Sequence, residues 1–384
     1  MRTKLIQAQS YFYNGFIQLV TNSGYLLILA TVLSIGLSNS VWGTQYLHAI
    51  HTPLFSFINH SSAEWCVNDV LMTLFFLIVA IELKYELTQG ALNTIKLAAM
   101  PIFAALGGMG VPALIYYLFN IGSVTANGWA IPMATDIAFA LALYNVFGNA
   151  LPPYLKIILS ALAVVDDFGS ILAIALFYSN SAPSLIYGTL TLVSIAVLIW
   201  GSKKNIHTAF YVVMLTVLWW CMYNIGVHPT MSAVAVGLIA PYHITSQWIH
   251  TLHKWVYYLI VPLFAMLNTA IVIDGSALQS CLTSPLVWGV VVGLVVGKPL
   301  GIILGVYAGK TLGWAQLPAN ISVKHILMIG ILGGIGFTVS LFISSLAFGN
   351  SVTLLTQARI AVLVAGVFTV LVGKMMNVLS NAKV

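Results

Sequence analysis

Charged side chains are scarce in this sequence: Asp, Glu, Lys and Arg make up 6% of its 384 residues, whereas hydrophobic residues make up 60%. So few charges cannot cover the surface of a soluble globule of this length. Cysteine is scarce too, and the wide separation of Cys66, Cys221 and Cys281 argues against a CxxC pair or a cysteine metal site. The composition therefore excludes a soluble fold and predicts an all-α polytopic membrane protein.

Long apolar runs occupy most of the chain. A helix needs about 20 residues to cross the hydrocarbon core of a bilayer, and the hydropathy pattern predicts twelve transmembrane helices. The predicted spans are 16–38, 66–88, 97–120, 125–146, 152–178, 183–201, 207–221, 226–240, 253–274, 286–309, 323–347 and 355–379. The seventh and eighth spans are short for complete crossings.

The basic residues are distributed asymmetrically along these spans. If both termini face the cytoplasm, Arg359 is the one basic residue assigned to the outer side. This asymmetry follows the positive-inside rule, so both termini are predicted to be cytoplasmic. The net charge of +6 then reflects topology and inner-leaflet lipid, and no nucleic-acid partner is expected. The longest polar connection, 39–65, is predicted to form a hairpin or short helix on the outer surface.

Four charged side chains lie near the middle of predicted spans: Asp136, Asp166, Asp167 and Lys298. A charge at that depth costs at least ~2.5 kcal/mol, and such residues face a protein interior or a wet cavity. The four residues are therefore candidates for a functional site within the membrane.

Two of the predicted spans contain helix-breaking residues. Span four has Pro132 four residues before Asp136, and span eleven is rich in glycine at 330–336. Residues 137–143 and 335–341 also resemble each other. Interrupted spans at matching places in two halves mark the binding sites of secondary transporters, and an odd number of intervening spans permits an inverted repeat. The alternative is a pair of kinked helices whose small residues serve close packing.

The adjacent carboxylates of Asp166 and Asp167 point about 100° apart on a helix, so they cannot face the same direction. Low dielectric and mutual repulsion both favour the protonated form of a carboxylic acid. A carboxylate under these conditions holds a proton or a hard cation, but not easily both, which predicts an ion exchanger. Lys298 is expected to pair with one of the aspartates, either to lock helices together or to break the pair during a transport cycle.

Three other classes of membrane protein fit the intramembrane charges less well than an exchanger does. An intramembrane aspartyl protease needs two carboxylates that flank a scissile bond, which adjacent aspartates cannot do. A cation channel uses rings of carboxylates or carbonyls from symmetric subunits, whereas here a lysine lies at the same depth. The nearest alternative is another sodium-coupled secondary carrier of the same general fold.

Four motifs, at 134–139, 165–169, 297–301 and 334–338, together resemble the NhaA-type bacterial sodium/proton antiporters. The resemblance runs over nearly the whole chain. It implies an electrogenic sodium or lithium/proton antiporter that works by alternating access and is regulated by pH. Such a protein is not an enzyme, needs no cofactor, and serves pH homeostasis and salt tolerance in the bacterial inner membrane.

The resemblance also implies roles for particular residues. Asp166 and Asp167 would bind sodium and protons, with Asp167 the more direct ligand and Thr135 a possible oxygen donor beside it. Asp136 would offset the positive ends of the crossing helices four and eleven, and Lys298 would offset the negative ends and pair with Asp166.

The same resemblance implies a domain organisation. Residues 1–384 would form a single antiporter domain, in which 97–178 and 286–379 are inverted repeats that form the core. The outer connection 39–65 would contribute to a homodimer.

The resemblance extends to pH regulation, where Glu82, Glu86 and His228 would take part. Two positions depart from the family pattern, because Tyr85 replaces a basic residue and Ile249 replaces an acidic one. A second group of histidines is predicted to lie at the membrane edges as interfacial residues; it comprises His207, His243, His250, His253 and His325.

Overall fold

The computed structural model describes residues 20, 22–54, 62–90, 92–147, 154–178, 184–204, 206–315 and 322–381. Its helices, in chain order, are α1 Asn22–Ser38, α2 Gly43–His51, α3 Ala63–Thr88, α4 Ile95–Phe119, α5 Ile137–Val146, α6 Tyr154–Phe177, α7 Leu185–Lys203, α8 Thr208–Ile225, α9 Met231–Ile239, α10 Tyr242–Trp255, α11 Val261–Asn268, α12 Gly275–Thr283, α13 Pro285–Thr311, α14 Val323–Gly333, α15 Phe337–Phe348 and α16 Val352–Asn381. The predicted all-helical fold is confirmed.

Seven of these helices are long and apolar enough to cross a membrane, and the number rises to ten if each bent pair is one span. The chain is therefore a multi-pass membrane protein. Twelve spans stay a prediction. The helix α9 has only nine residues, and the predicted span 253–274 ends as a helix at Asn268. The start of the first predicted span lies outside the described residues.

The connection 39–65, predicted to lie on the outer side, contains the helix α2, which is bent by 113° from α1. An isolated antiparallel bridge then joins Pro53 to Ser62. The tip of the predicted hairpin, 55–61, lies outside the described residues.

The core of the bundle is built on the close pair α4 and α13, which also packs against α14 and α16. A Cβ atom added to Gly301 would collide with the backbone carbonyl of Gly107 on α4. Small residues permit such backbone contact between membrane helices. The two helices can therefore hold Lys298, at the start of the second half of α13, next to the interrupted helices.

Both predicted interruptions are present. A 3-10 turn, Ile131–Met133, is followed by the non-helical residues 134–136 and then by α5, and the segment Val124–Met133 differs in direction from α5 by 51°. The helices α14 and α15 are separated by 334–336 and differ in direction by 48°. Proline and glycine account for these breaks, because proline removes a backbone donor and glycine costs conformational entropy inside a helix.

Candidate functional site

The two interruptions contact each other in the middle of the bundle. The backbone N–H of Asp136 donates to the carbonyl of Ile335 at 2.6 Å. The Ser340 hydroxyl donates to the carbonyl of Ile131, also at 2.6 Å. Backbone groups freed by the breaks thus find partners in the opposite break, as the hydrocarbon interior requires.

Asp136 caps two helices at once. Its Oδ1 accepts the backbone N–H of Phe139 at 3.0 Å, at the start of α5. Its Oδ2 accepts the backbone N–H of Thr338 at 3.1 Å and the Thr338 hydroxyl at 2.8 Å, at the start of α15. One buried carboxylate therefore faces the positive ends of both half-helices, where negative charge is favourable.

Lys298 lies at the carbonyl end of the first interrupted segment. Its ammonium forms an ion pair with Oδ2 of Asp166 at 2.8 Å, and neither side chain is exposed to solvent. The ammonium also donates to the carbonyl of Met133, the last residue of the 3-10 turn. A π-helical turn, Gly293–Gly297, immediately precedes Lys298 and widens the helix there.

Thr135 lies beside both aspartates. Its Oγ1 lies 2.7 Å from Oδ2 of Asp166, and Thr135 also lines a small cavity together with Asp167, next to which the resemblance placed it. The same Oγ1 lies 2.9 Å from the carbonyl of Gly333, at the end of α14. A hydroxyl has one proton to donate, so Thr135 donates either to the Asp166 carboxylate or to the carbonyl of Gly333, whereas Lys298 donates to the carbonyl of Met133.

Asp167 faces a small cavity, large enough for about one water-sized particle. The lining consists of Phe75, Thr135, Asp136, Ile137, Ala138, Asp167, Tyr257, Val261 and Thr338. Within the described part of the chain, Oδ1 of Asp167 and Oδ1 of Asp166 are buried and have no hydrogen-bond partner. Carboxylate and hydroxyl oxygens suit hard cations, so this cavity offers an oxygen site with unused ligand capacity.

Glu82 belongs to a buried cluster that sequence analysis missed. His253 Nε2 lies 2.7 Å from Oε1 of Glu82, and the Tyr257 hydroxyl donates to the same oxygen at 3.2 Å. The prediction that His253 is interfacial is wrong, because the residue is only 7% exposed and its imidazole contacts the buried Glu82 carboxylate inside the bundle. The spacing of His253 and Tyr257, four residues apart, was the available signal, since it places both on one helix face.

The residues predicted to respond to pH do not form one group. Glu86 is buried one turn after Glu82 near the end of α3. His228 instead lies 3.3 Å from Asp69, near the start of α3, and hydrogen-bonds Thr230 at 2.9 Å. The thirteen residues from Asp69 to Glu82 correspond to about 20 Å of helix. His228 and the glutamates therefore lie at different depths.

A profile of the family described as Na+/H+ antiporter 1 matches residues 14–376. A relative from Dechloromonas aromatica (strain RCB), named Na(+)/H(+) antiporter NhaA, is 41% identical and covers 95% of this chain and 94% of its own. A relative of the same name from Pectobacterium atrosepticum is 42% identical, covering 93% and 94%. The one from Escherichia coli (strain K12) is 41% identical, covering 92% and 94%.

A solved structure has the same fold. It is the sodium proton antiporter MjNhaP1 from Methanocaldococcus jannaschii at pH 8, with a TM-score of 0.51 and 16% identity. The similarity covers 94% of this chain and 98% of the other. At this identity the similarity concerns the fold alone.

Proposed function

This chain belongs to the Na+/H+ antiporter 1 family and is a sodium/proton antiporter, and we propose that Asp167 is the carboxylate at which sodium and protons compete. The proposal rests on one observation: Asp167 faces the cavity and has a buried oxygen without a partner in the described structure. A bare carboxylate in low dielectric gains from binding either a proton or a cation. Binding one removes the charge that attracts the other.

Asp166 is proposed to be the second proton- and sodium-binding carboxylate. Its Oδ2 is paired with Lys298 and hydrogen-bonded to Thr135, whereas its Oδ1 has no partner among the described residues. Breaking the pair would free Asp166 for a proton and leave Lys298 to be neutralised in another way. With two carboxylates that take protons per sodium ion carried, the exchange would move net charge and respond to membrane potential.

Alternating access is proposed to move the crossing of the two interrupted helices relative to the rest of the bundle. Residues 97–178 and 286–379 would form inverted repeats around this crossing. The two interruptions support this proposal, because interrupted helices that meet near the membrane centre are typical of secondary transporters. At these interruptions Asp136 caps α5 and α15, and Lys298 binds the carbonyl of Met133. The protein would then act as a transporter rather than an enzyme, with sodium, lithium and protons as substrates and no cofactor.

The cellular setting is part of the proposal. We place the protein in the bacterial inner membrane with cytoplasmic termini, on the asymmetry of the basic residues. The outer connection 39–65 would support a homodimer, and Glu82, Glu86 and His228 would adjust activity to pH. Glu82 and Glu86 are buried, and Glu82 and His228 each contact another titratable group, which gives them a means of coupling protonation to packing.

The experiment is sodium-driven proton flux in inverted membrane vesicles across a pH series. Asp167→Asn and Asp166→Asn should each abolish the flux while the protein stays folded, and the exposed Asp274 provides the matched control, Asp274→Asn. Isothermal calorimetry should show protons released as sodium binds the unaltered protein. Full flux in Asp167→Asn would refute the assignment. Sodium uptake that requires a co-transported solute and moves no protons would favour another sodium-coupled carrier of the same fold.

A further inference from the structure

Tyr257 connects two polar groups that the exchange site keeps apart. Its side chain is 1% exposed. On one side its hydroxyl donates to Oε1 of Glu82 at 3.2 Å, and Oε2 of the same carboxylate lies 3.5 Å away. On the other side Tyr257 lines the cavity that Asp167 faces. A single side chain thus lies between the ion cavity and Glu82.

The local helix geometry explains this position. Tyr257 lies in a π-helical turn, Val256–Ile260, between α10 and α11. Such turns widen a helix by one residue and are frequent at functional sites. The turn brings the Tyr257 ring edge-on to His253, with ring centres 5.2 Å apart and planes at 72°. His253, Tyr257 and Glu82 therefore form a packed unit with one face on the cavity.

We propose that Tyr257 is a positioning residue for exchange, whose hydroxyl holds the Glu82 carboxylate next to the ion cavity and passes protons between the cavity and the Glu82–His253 pair. The inference rests on the proposed role of Asp167 as the proton-binding group. The titratable groups that surround Tyr257 are Glu82 from α3, His253 from α10, Asp167 from α6 and Asp136 at the start of α5.

The transfer step is balanced in protons. The O–H bond of Tyr257 breaks as its proton moves to Glu82, and a new O–H bond forms on Tyr257 with a proton that leaves the Asp167 cavity. Tyr257 ends as it began, and one proton has moved from the cavity to Glu82. The 2.7 Å contact between Oε1 of Glu82 and Nε2 of His253 already contains one proton, so the Glu82–His253 pair as a whole holds the arriving proton as its second.

The test is the variant Tyr257→Phe, which removes only the hydroxyl and keeps the ring against His253. The adjacent Tyr258, 36% exposed, provides the matched control Tyr258→Phe. We expect the maximal sodium-driven proton flux per folded protein to fall about tenfold or more in Tyr257→Phe, since a positioned proton-transfer group contributes at least this much. The sodium concentration at half-maximal flux should stay within about twofold, because the sodium-binding oxygens are untouched.

A double-variant cycle tests whether Tyr257 acts through Glu82. If it does, Glu82→Gln with Tyr257→Phe should be no slower than the slower single variant, because residues in one network are not additive. Wild-type flux in Tyr257→Phe would overturn the inference. A loss of flux accompanied by an equal rise in the half-saturating sodium concentration would also overturn it, and so would losses that multiply in the double variant. If the unaltered protein releases no protons on binding sodium, the proposed function fails instead.

Discussion

The ammonium of Lys298 lies 2.8 Å from Oδ2 of Asp166, and both side chains are completely buried. Removing two charges from water costs several kcal/mol each, which their attraction repays only if other hydrogen bonds complete the arrangement. Here the carbonyl of Met133 and the hydroxyl of Thr135 provide those bonds. The pair therefore joins α13 and α6 to the first interruption.

Lys298→Met is expected to lower the melting temperature of the detergent-solubilised protein. The substitution leaves Asp166 as an unpaired buried charge, a change that typically costs about 3–5 kcal/mol. Lys310→Met, at an exposed position near the end of the same helix, is the control. Combining Lys298→Met with Asp166→Asn should recover part of the loss, because the second change removes the stranded charge. Unchanged melting in Lys298→Met would contradict a stabilising ion pair.

Asp136→Ala is expected to destabilise the crossing of the interrupted helices. Loss of one helix cap costs about 1 kcal/mol, and Asp136 caps both α5 and α15, so a loss of roughly 2 kcal/mol follows. Thr338→Val is the comparison, since it removes the hydroxyl contact to Asp136 and keeps the backbone one. Thermal unfolding should rank Asp136→Ala as the less stable variant, and the reverse order would show that the hydroxyl matters more than the caps.

Arg359 makes a second ion pair, partly buried, near the start of α3. One of its guanidinium nitrogens lies 2.6 Å from Oε1 of Glu64 and 2.9 Å from Oδ1 of Asn268. Glu64→Gln should therefore lower the melting temperature, because Arg359 is only 6% exposed and would lose its charged partner. The double variant Glu64→Gln with Arg359→Gln should lose less than the sum of the single losses. Strict additivity would show that the two side chains do not interact.

Gly301→Ala is expected to destabilise the contact between α4 and α13. Its added methyl group would collide with the carbonyl of Gly107, and overpacking of this kind lowers stability by about 1–3 kcal/mol. Gly110→Ala is the matched control on α4, because its added methyl group meets nothing within 4 Å. That change should raise stability by roughly 0.5–1 kcal/mol through the better helix propensity of alanine. Equal melting temperatures in the two variants would argue against close helix packing at Gly301.

The sequence predicted the positions of the two helix breaks more accurately than the number of membrane spans. Pro132 and the glycines at 330–336 act on the backbone locally, so the breaks follow from chemistry visible in the sequence. The span count depends on where each helix ends. At 226–240 the helix has only nine residues, and at 253–274 the helix ends at Asn268, and a hydropathy average over about 19 residues does not locate such ends.

The sequence by itself determined that this protein is a helical membrane protein with charges inside its apolar spans. These properties follow from composition and local order along the chain, because the hydrophobicity of a segment, and the backbone donor that proline removes, belong to the residues themselves. Only the tertiary structure decided which groups meet. It joined Thr135 to Asp166, buried His253 against Glu82, and put Tyr257 in the wall of the ion cavity. Such contacts join residues from different helices, and the relative rotation and depth of packed helices are set by the whole bundle.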